Sequence, residues 1–288
     1  MDGLTYITTC KGRLEHIKQT LPKIAGQPNV QCVVVDYSCP ENTGDWVASH
    51  FPQVKLVRVI GKEDFNASCA RNLGAQAATT RWLGFFDADV ILAPDFAANV
   101  IPSLEQGYFY RASQITLQTW GSLICCQNDF AAIGGYDEAF VGWGGEDDDL
   151  LIRLGAMGCK PASFSNTLLN EIAHDDDARV RFHEIKDRRV QCQINQIYIQ
   201  AKMDLLRLSS NSSLPLETRQ ALFGEVRHTV LEAVAAGKAT AEVAIEFPRQ
   251  IMNSVPIDRQ LASWGLARKL IYAFELLEST HRNEGFYP

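Results

Sequence analysis

Apolar and polar positions in the first 90 residues follow two different periods. Short, nearly continuous apolar runs are typical of strands buried on both faces, and segments with an apolar residue every three or four positions are typical of helices. The predicted strands are 4–9, 31–36, 54–60 and 82–86, and the predicted helices are 13–24, a short helix from Trp46, and 66–78. This alternation predicts an α/β fold, in which a mostly parallel sheet is covered by helices on both faces.

The pattern changes after about residue 107. Less regular strands are followed by a segment rich in glycine and acidic residues over 133–149. Helical periodicity then predicts helices over 191–208, 216–236 and 261–277, with a linker over 209–215. The sequence therefore predicts an α/β domain over residues 1–180 and a helical C-terminal extension over residues 181–288.

Polar residues stand where several of the predicted strands end. Thr8 and Thr9 end the first strand, Asp36 ends the second, and Asp87 and Asp89 follow the fourth. Ligands of parallel sheets bind beyond the carboxyl ends of the strands, so these residues predict one binding site. Two carboxylates placed two positions apart suit a hard divalent cation, although such a pair is often only a solvated turn.

Two further segments are candidates for chemistry. In the string GWGGEDDD, over 142–149, three glycines surround Trp143 and four carboxylates follow. A flexible loop that carries an aromatic side chain over a ligand explains this string, and a helix with an acidic first turn is the simpler explanation. His174 lies among carboxylates in 171–177, and neutral imidazole is a suitable ligand for a manganese-like ion.

Composition narrows the class of protein. The chain has 288 residues and a formal net charge of −7, and 46% of its residues are hydrophobic and 21% charged. This composition predicts a globular and not a disordered protein. Without a basic block it is not expected to bind nucleic acid, and without a run of about 18 to 20 apolar residues we expect no transmembrane segment. No signal peptide is recognised and the eight cysteines form no CxxC pair, so we expect a cytoplasmic protein with reduced thiols.

These motifs together resemble a known family, the nucleotide-sugar glycosyltransferases of the GT-A fold. The strings TTCKGR (8–13), VVVD (33–36), ARNLG (70–74) and FFDAD (85–89) resemble the family 2 type of bacterial transferase. GWGGEDDD closely resembles the β-1,4-galactosyltransferase signature, and Phe65-Asn66 and a histidine some 27 residues after Asp147 fit the same family. The resemblance covers residues 4–181 and implies a GT-A domain, Rossmann-like, followed by the helical extension.

The resemblance implies a donor site for a UDP-sugar. Asp36 would bind the nucleoside, and Arg71 would lie near the diphosphate. The donor-binding residues implied are Thr8, Thr9, Arg13, Asp36, Asn66, Arg71 and Asp87.

The resemblance also implies a metal site for Mn²⁺ or Mg²⁺. Asp89 and His174 match the family's metal ligands, and Asp87 belongs to the same motif. Glu171 stands where the animal enzymes have a methionine, three residues before the histidine, and a carboxylate there favours harder, oxygen-rich coordination. Asp87 and Glu171 are therefore additional candidate ligands.

On the acceptor side, Asp147 matches the family's catalytic base. Glu146 and Asp148 would position sugar hydroxyls, and Trp143 corresponds to the tryptophan of a mobile loop. One carboxylate base without an enzyme nucleophile implies inversion at the anomeric carbon. We therefore expect an inverting, metal-dependent hexosyltransferase that moves galactose, glucose or an N-acetylhexosamine.

Other functions stay open at this point. A retaining GT-A transferase also carries a WGGE string, although Asp147 argues against it, and a nucleotidyltransferase usually needs a Gly-rich, basic N-terminal loop. A carbohydrate-binding or scaffold protein with an inactive site is a non-enzyme alternative. The acceptor is a glycan, a peptide, a lipid-linked sugar or a small molecule, and the helical extension is a candidate acceptor platform, homo-oligomer interface or partner contact.

Overall fold

The structure, a computed structural model, describes residues 3–173, 177–209, 213–246 and 269–276. The chain divides into two compact units, Met1–Lys186 and Asp187–Pro288. The functional boundary expected at residues 180 and 181 stays a prediction. No helix among the described residues is long and apolar enough to cross a bilayer.

A seven-stranded sheet forms the centre of the first unit, with the strand order β3-β2-β1-β4-β7-β6-β8. Its strands are β1 (Leu4–Cys10), β2 (Val30–Tyr37), β3 (Lys55–Val59), β4 (Trp82–Phe85), β6 (Tyr108–Ala112), β7 (Leu123–Cys126) and β8 (Lys160–Phe164). Only β7 pairs antiparallel with its neighbours; the other pairings in this sheet are parallel. A separate antiparallel pair joins β5 (Val90–Leu92) to β9 (Leu169–Glu171). The mostly parallel α/β sheet is confirmed, and all four strands predicted in the first 90 residues are present.

Helices cover both faces of this sheet. They are α1 (Leu14–Ile24), α2 (Thr43–His50), α3 (Ala67–Ala77), α4 (Phe96–Val100), α5 (Gln127–Ala132) and α6 (Glu146–Ala156). A further short helix, α7 (Asp177–Val180), follows β9 along the chain. Alternate residues of β1 enter two hydrophobic cores, since Tyr6 packs in the core that includes α1 and Ile7 packs in the core that includes α3 and α6. A Cβ on Gly74 would lie 2.4 Å from Ile7 Cγ2, so glycine lets α3 pack closely on β1.

The second unit combines two long helices with a two-stranded sheet. The helices are α8 (Arg188–Ser209) and α9 (Leu216–Ala235), and β10 (Thr240–Glu246) pairs antiparallel with β11 (Lys269–Glu275). The helical C-terminal region is confirmed, but the helix predicted over 261–277 is wrong for 269–275, which form a strand. Exposed and half-buried residues alternate along β11, as expected of a strand. The segment is short and apolar, so its pattern in the sequence is also compatible with a helix. Residues 261–268 and 277 lie outside the described residues.

Candidate active site

A pocket opens at the edge where β1 and β4 end. It is lined by the β1–α1 loop, the start of α3, the residues after β4, the glycine-rich loop before α6, and the segment after α7. The lining residues are Thr9, Lys11, Arg13, Phe65, Ala67, Arg71, Asp87, Ala88, Asp89, Gly142, Trp143, Gly144, Glu146, Arg179, Phe182 and His183. Cations and carboxylates share this wall, which suits a ligand that carries phosphates together with a metal ion.

Arg71 on α3 joins the two acidic motifs. Arg71 Nη1 donates to Glu146 Oε1 at 2.8 Å and to Asp147 Oδ1 at 3.1 Å. Arg71 Nη2 donates to Asp87 Oδ1 at 2.9 Å. Only 6% of its side chain is exposed, so these charge-assisted bonds are poorly screened by solvent. We call Arg71 and these three carboxylates the Arg71 cluster. One buried cation faces three carboxylates there, which leaves the cluster short of positive charge.

The absence of a side chain at Gly121 leaves room for the hydrogen bonds of the Arg71 cluster. A Cβ on Gly121 would lie 2.9 Å from Arg71 Nη2, 3.0 Å from Asp147 Oδ2 and 3.3 Å from Asp87 Oδ2. Any larger residue would push these groups apart. Sequence reasoning missed Gly121, because a single glycine before a short strand carries no distinctive pattern.

Asp147 lies in the first turn of α6, directly after the glycine-rich loop. Gly142, Gly144 and Gly145 have φ of 105°, 78° and 87°, the left-handed region that favours glycine. The pKa of Asp147 is raised to about 7, because burial and the neighbouring carboxylates Glu146 and Asp87 together outweigh the opposing effect of Arg71. A carboxyl group with such a pKa is suited to accept a proton near neutral pH.

Tyr136 supports Asp147 from the protein interior. Its hydroxyl donates to Asp147 Oδ1 at 3.2 Å, and its ring lies 5.2 Å from the Arg71 guanidinium. The ring packs edge-on against Phe85 and Phe130, and only 1% of the residue is exposed. Sequence reasoning missed Tyr136, because nothing in the local string IGGYDEAF (133–140) indicates that its hydroxyl meets Asp147.

The remaining two carboxylates of the acidic string have separate partners. Asp148 Oδ1 accepts from Trp120 Nε1 at 2.9 Å, and Arg111 stacks on the Trp120 ring at 4.6 Å. Asp149 is fully buried and forms an ion pair with Arg153 at 2.7 Å. Arg153 also donates to the carbonyls of Ile133 and Gly135. Asp148 therefore faces an aromatic side chain that sequence reasoning did not identify, whereas Asp149 stabilises the fold.

The candidate metal ligands are only partly described. Asp87 and Asp89 line the pocket, and their oxygens are the donors that Mn²⁺ and Mg²⁺ prefer. Glu171 does not line the pocket; its carboxylate accepts a short hydrogen bond from Thr116 Oγ1. His174 lies outside the described residues, two positions after Ile172, whose amide donates to the Asp89 carbonyl at 2.8 Å.

No group of three or more His, Cys, Asp or Glu residues suited to hold a metal ion occurs within 3–173 and the other described ranges. The two pocket carboxylates fit a divalent cation in chemistry but need further ligands. His174 stays the predicted source of one.

The predicted donor residues divide into two groups. Thr9 and Arg13 line the pocket, as does Arg71, whereas Thr8 points into the protein and is 1% exposed. The Asp36 carboxylate accepts from the amides of Cys39 and Gly44, each at 2.8 Å, and does not line the pocket. In this structure Asp36 therefore holds the turn after β2.

Asn66 caps helix α3. Its Oδ1 accepts from the Cys69 amide at 2.8 Å, and its Nδ2 donates to the Phe140 carbonyl at 3.1 Å. The second bond connects the start of α3 to the segment just before the glycine-rich loop. Asn66 thus helps to position Arg71 relative to Trp143.

The pocket wall after α7 was not predicted. Arg179, Phe182 and His183 belong to it, and the Phe182 carbonyl accepts from the Phe65 amide at 3.2 Å. A Cβ on Gly12, whose φ is 67°, would lie 2.6 Å from the Phe182 ring. Burial and nearby Lys186 lower the pKa of His183 to about 4, so its imidazole is neutral at pH 7. A run of basic and aromatic residues after the candidate metal histidine was the available signal.

Comparisons with known proteins agree with this architecture. Residues 5–117 match the model of glycosyl transferase family 2, and residues 105–199 match the model of the N-terminal domain of galactosyltransferase. Comparison with curated protein sequences gives no match.

A solved structure shows the same fold. S. aureus TarS 1-349 in complex with UDP-GlcNAc is 12% identical, with a TM-score of 0.55 over 90% of this chain and 81% of that one. Two others have slightly lower TM-scores. The mannosyltransferase PcManGT from Pyrobaculum calidifontis, in complex with GDP-Man and Mn²⁺, is 16% identical, with a TM-score of 0.49 over 91% and 79% of the two chains. The catalytic domain of Drosophila beta1,4galactosyltransferase 7, in complex with xylobiose, is 15% identical, with a TM-score of 0.48 over 67% and 79%.

The sheet, the pocket at its edge and the two family models define a glycosyltransferase of the GT-A type. The chain is family 2-like in its first half and galactosyltransferase-like across the acidic string. The resemblance identified from the sequence is confirmed at this level.

Proposed function

We propose that the enzyme is an inverting, metal-dependent glycosyltransferase that moves a hexose from a UDP-sugar to an acceptor hydroxyl. One observation carries the proposal. Asp147, with a pKa raised to about 7, lies beside the pocket and shares Arg71 with Asp87 of the candidate metal motif. This arrangement links a proton acceptor directly to the place where a diphosphate would leave.

The donor's diphosphate would meet the cationic side of the pocket. Arg13, Arg71 and Arg179 line it. Lys11 lies there too, but its ammonium donates to the carbonyls of Tyr37, Ser38 and Lys62, so it mainly holds the β1–α1 loop. In a chain with a net charge of −7, this local positive charge supports an anionic ligand. UDP-GlcNAc is bound by TarS, which supports a UDP-sugar as the donor proposed here.

Asp87, Asp89 and His174 are the residues proposed to hold Mn²⁺ or Mg²⁺. A divalent cation at this position would neutralise the charge that develops on the departing diphosphate. Arg71 adds a fixed positive charge on the same side of the pocket, through its bond to Asp87.

Asp147 is proposed to accept the proton of the acceptor hydroxyl as that oxygen attacks the anomeric carbon. Trp143 and Glu146 line the pocket next to it, and Asp148 with Trp120 lies on the other side of Asp147 along α6. Carboxylates and an indole suit a sugar hydroxyl face and a sugar ring respectively. We therefore propose Trp143, Glu146 and Asp148 as the acceptor side. With one base and no enzyme nucleophile, the displacement would invert the anomeric carbon.

A donor panel tests the proposal. Purified protein is incubated with UDP-hexoses and candidate acceptors, with and without Mn²⁺, and UDP release and the anomeric configuration of the product are measured. We expect Mn²⁺-dependent release and an inverted product. Asp147→Asn should lower turnover by about 10²- to 10⁴-fold, whereas Asp45→Asn, at an exposed ion pair with Arg58, should not. A retained configuration or an active Asp147→Asn enzyme would contradict the proposal.

A further inference from the structure

Two thiols lie side by side where β1 and β2 end. Cys10 is the last residue of β1 and Cys39 lies in the turn after β2, and their sulfur atoms are 3.9 Å apart. Both cysteines are free and buried, with 0% and 8% exposure. The parallel register, which places Cys10 opposite Asp36, brings the two thiols together across 29 positions of sequence.

The two sulfur atoms have different surroundings. The Thr43 hydroxyl lies between them, 3.1 Å from Cys39 Sγ and 3.2 Å from Cys10 Sγ, but only Cys39 Sγ accepts from the Gly12 amide, at 3.1 Å. The Cys10 thiol, these two donors and the turn backbone stabilise a thiolate, so the pKa of Cys39 falls to about 5 despite its burial. The same thiol–thiol contact, together with burial, raises the pKa of Cys10. A nucleophilic thiolate therefore lies against a neutral thiol.

Four other cysteines have thiols whose ionisation is disfavoured. Burial is the main cause that raises the pKa of Cys32, Cys69, Cys125 and Cys159. Burial in apolar surroundings makes a thiol inert, whereas hydrogen-bond donors around a sulfur make it reactive. Cys39 is thus distinguished by its neighbours and not by its exposure.

We propose that Cys39 and Cys10 form a redox modification site that reacts with a hydroperoxide and closes to a reversible disulfide. In the first step the Cys39 thiolate attacks one peroxide oxygen and the O–O bond breaks. Cys39 becomes a sulfenic acid, and the departing oxygen takes a proton and leaves as water or an alcohol.

In the second step the Cys10 sulfur attacks the Cys39 sulfur. The S–O bond breaks, the Cys10 proton leaves with the hydroxyl as water, and the disulfide forms. The two thiols lose two electrons and the peroxide gains them, so no further reagent is needed. A disulfide bond is about 2.05 Å long, so the sulfur atoms approach each other by about 1.9 Å. A small dithiol reverses the reaction by thiol–disulfide exchange.

The disulfide would alter the neighbouring pocket. Cys10 is followed directly by Lys11, Gly12 and Arg13, two of which line the pocket. The Gly12 amide would lose a thiolate acceptor, and the Lys11 ammonium is bonded to the carbonyls of Tyr37 and Ser38 beside Cys39. Movement of this loop should weaken binding of the nucleotide, so oxidation should reduce the affinity for UDP. The modification itself does not depend on the function proposed above.

Peptide mapping of the full-length chain tests the site. The native protein is treated with a small excess of hydrogen peroxide and blocked with an alkylating reagent. Digestion with trypsin and with a protease that cleaves before aspartate then separates Cys32 from Cys39, because Asp36 lies between them. We expect a Cys10–Cys39 disulfide with complete loss of both free thiols, and full recovery of both after a dithiol is added.

Variants distinguish the two steps. In Cys10→Ser a sulfenic acid should accumulate at Cys39 and react with dimedone, and in Cys39→Ser Cys10 should stay reduced. Cys69→Ser, at a half-buried thiol with a raised pKa, is the matched control and should form the disulfide as the wild type does.

Wild-type protein in which Cys10 and Cys39 stay reduced while Cys69 or Cys192 oxidises would overturn the proposal. This test uses the wild-type protein alone, so it does not depend on whether the variants fold. A disulfide that forms without any change in UDP affinity would retain the site but overturn its effect on the pocket.

Discussion

Asp147→Asn is expected to stabilise the protein at pH 8 while it removes activity. The carboxyl group is buried beside Glu146 and Asp87, and these neighbours together with burial make its ionisation unfavourable. Asparagine has nearly the same shape, keeps an oxygen that accepts from Tyr136, and carries no charge. The variant therefore removes the cost of a charged group without leaving a cavity.

The size of the effect follows from the pKa of Asp147. The pKa rises from 3.8 to about 7 on folding, so the folded state binds an extra proton between these values. A raised pKa contributes stability that is complete below pH 4 and is lost as the pH rises through 7. A rise of about three pH units corresponds to about 4 kcal/mol, which is an upper value for the gain at pH 8. Near pH 4 the gain should vanish, because the wild-type carboxyl group is then neutral as well.

Urea unfolding of the metal-free protein at pH 5 and pH 8 measures this difference. Tryptophan fluorescence reports mainly on the first unit, which contains four of the five tryptophans. Asp45→Asn, an exposed carboxylate, is the control and should change little at either pH. An Asp147→Asn variant that is less stable than wild type at pH 8, or whose gain in stability over wild type is the same at pH 5 and pH 8, would refute the reasoning.

Three further variants test other parts of the site. Tyr136→Phe removes a hydrogen bond to ionised Asp147, worth about 1.5 to 3 kcal/mol. The pKa of Asp147 should therefore rise, and the acidic limb of the pH–rate profile should move up by about one pH unit or more. An unchanged profile with lower activity would indicate a packing role only. Asp89→Ala should abolish the Mn²⁺ dependence of UDP binding in calorimetry, and unchanged dependence would exclude Asp89 as a ligand. Trp143→Ala should raise the KM for acceptor with little change in melting temperature, and a much earlier melt would identify Trp143 as a core residue.

The fold of the first unit was accessible from the sequence because its signals are local. Continuous apolar runs such as 31–36 fix a buried strand, and the glycines of 142–145 indicated a loop, where the structure gives all three of them a positive φ. Period alone failed for 269–275, where a short apolar run satisfies both a helix and a strand. Pairing with β10, more than 20 residues earlier, decides between them.

The candidate site was less accessible because its key contacts are long-range. Arg71 was expected near a diphosphate from its motif, but its bonds to Glu146 and Asp147 cross 75 and 76 positions of sequence. Nothing local in Tyr136 or Gly121 indicates that they meet Asp147. The four carboxylates of 146–149 also looked alike in the sequence, and only their partners separate Asp149 from the other three.

The single reversed strand, β7, has a consequence for how the site is assembled. Its first residue, Leu123, pairs with Phe85, the last residue of β4, so the chain that enters β7 passes the same edge that the parallel strands leave. Gly121, beside the Arg71 cluster, and Trp120, which donates to Asp148, therefore come from a separate loop, 113–122, and not from the strands that form the nucleotide side. In the proposed function, the acceptor side would thus combine Asp148 of α6 with Trp120 of this separate loop. A side chain at position 121 would crowd Arg71 and Asp87, so exchange of the loop with Gly121 retained offers a route to alter acceptor choice while the nucleotide side stays as it is.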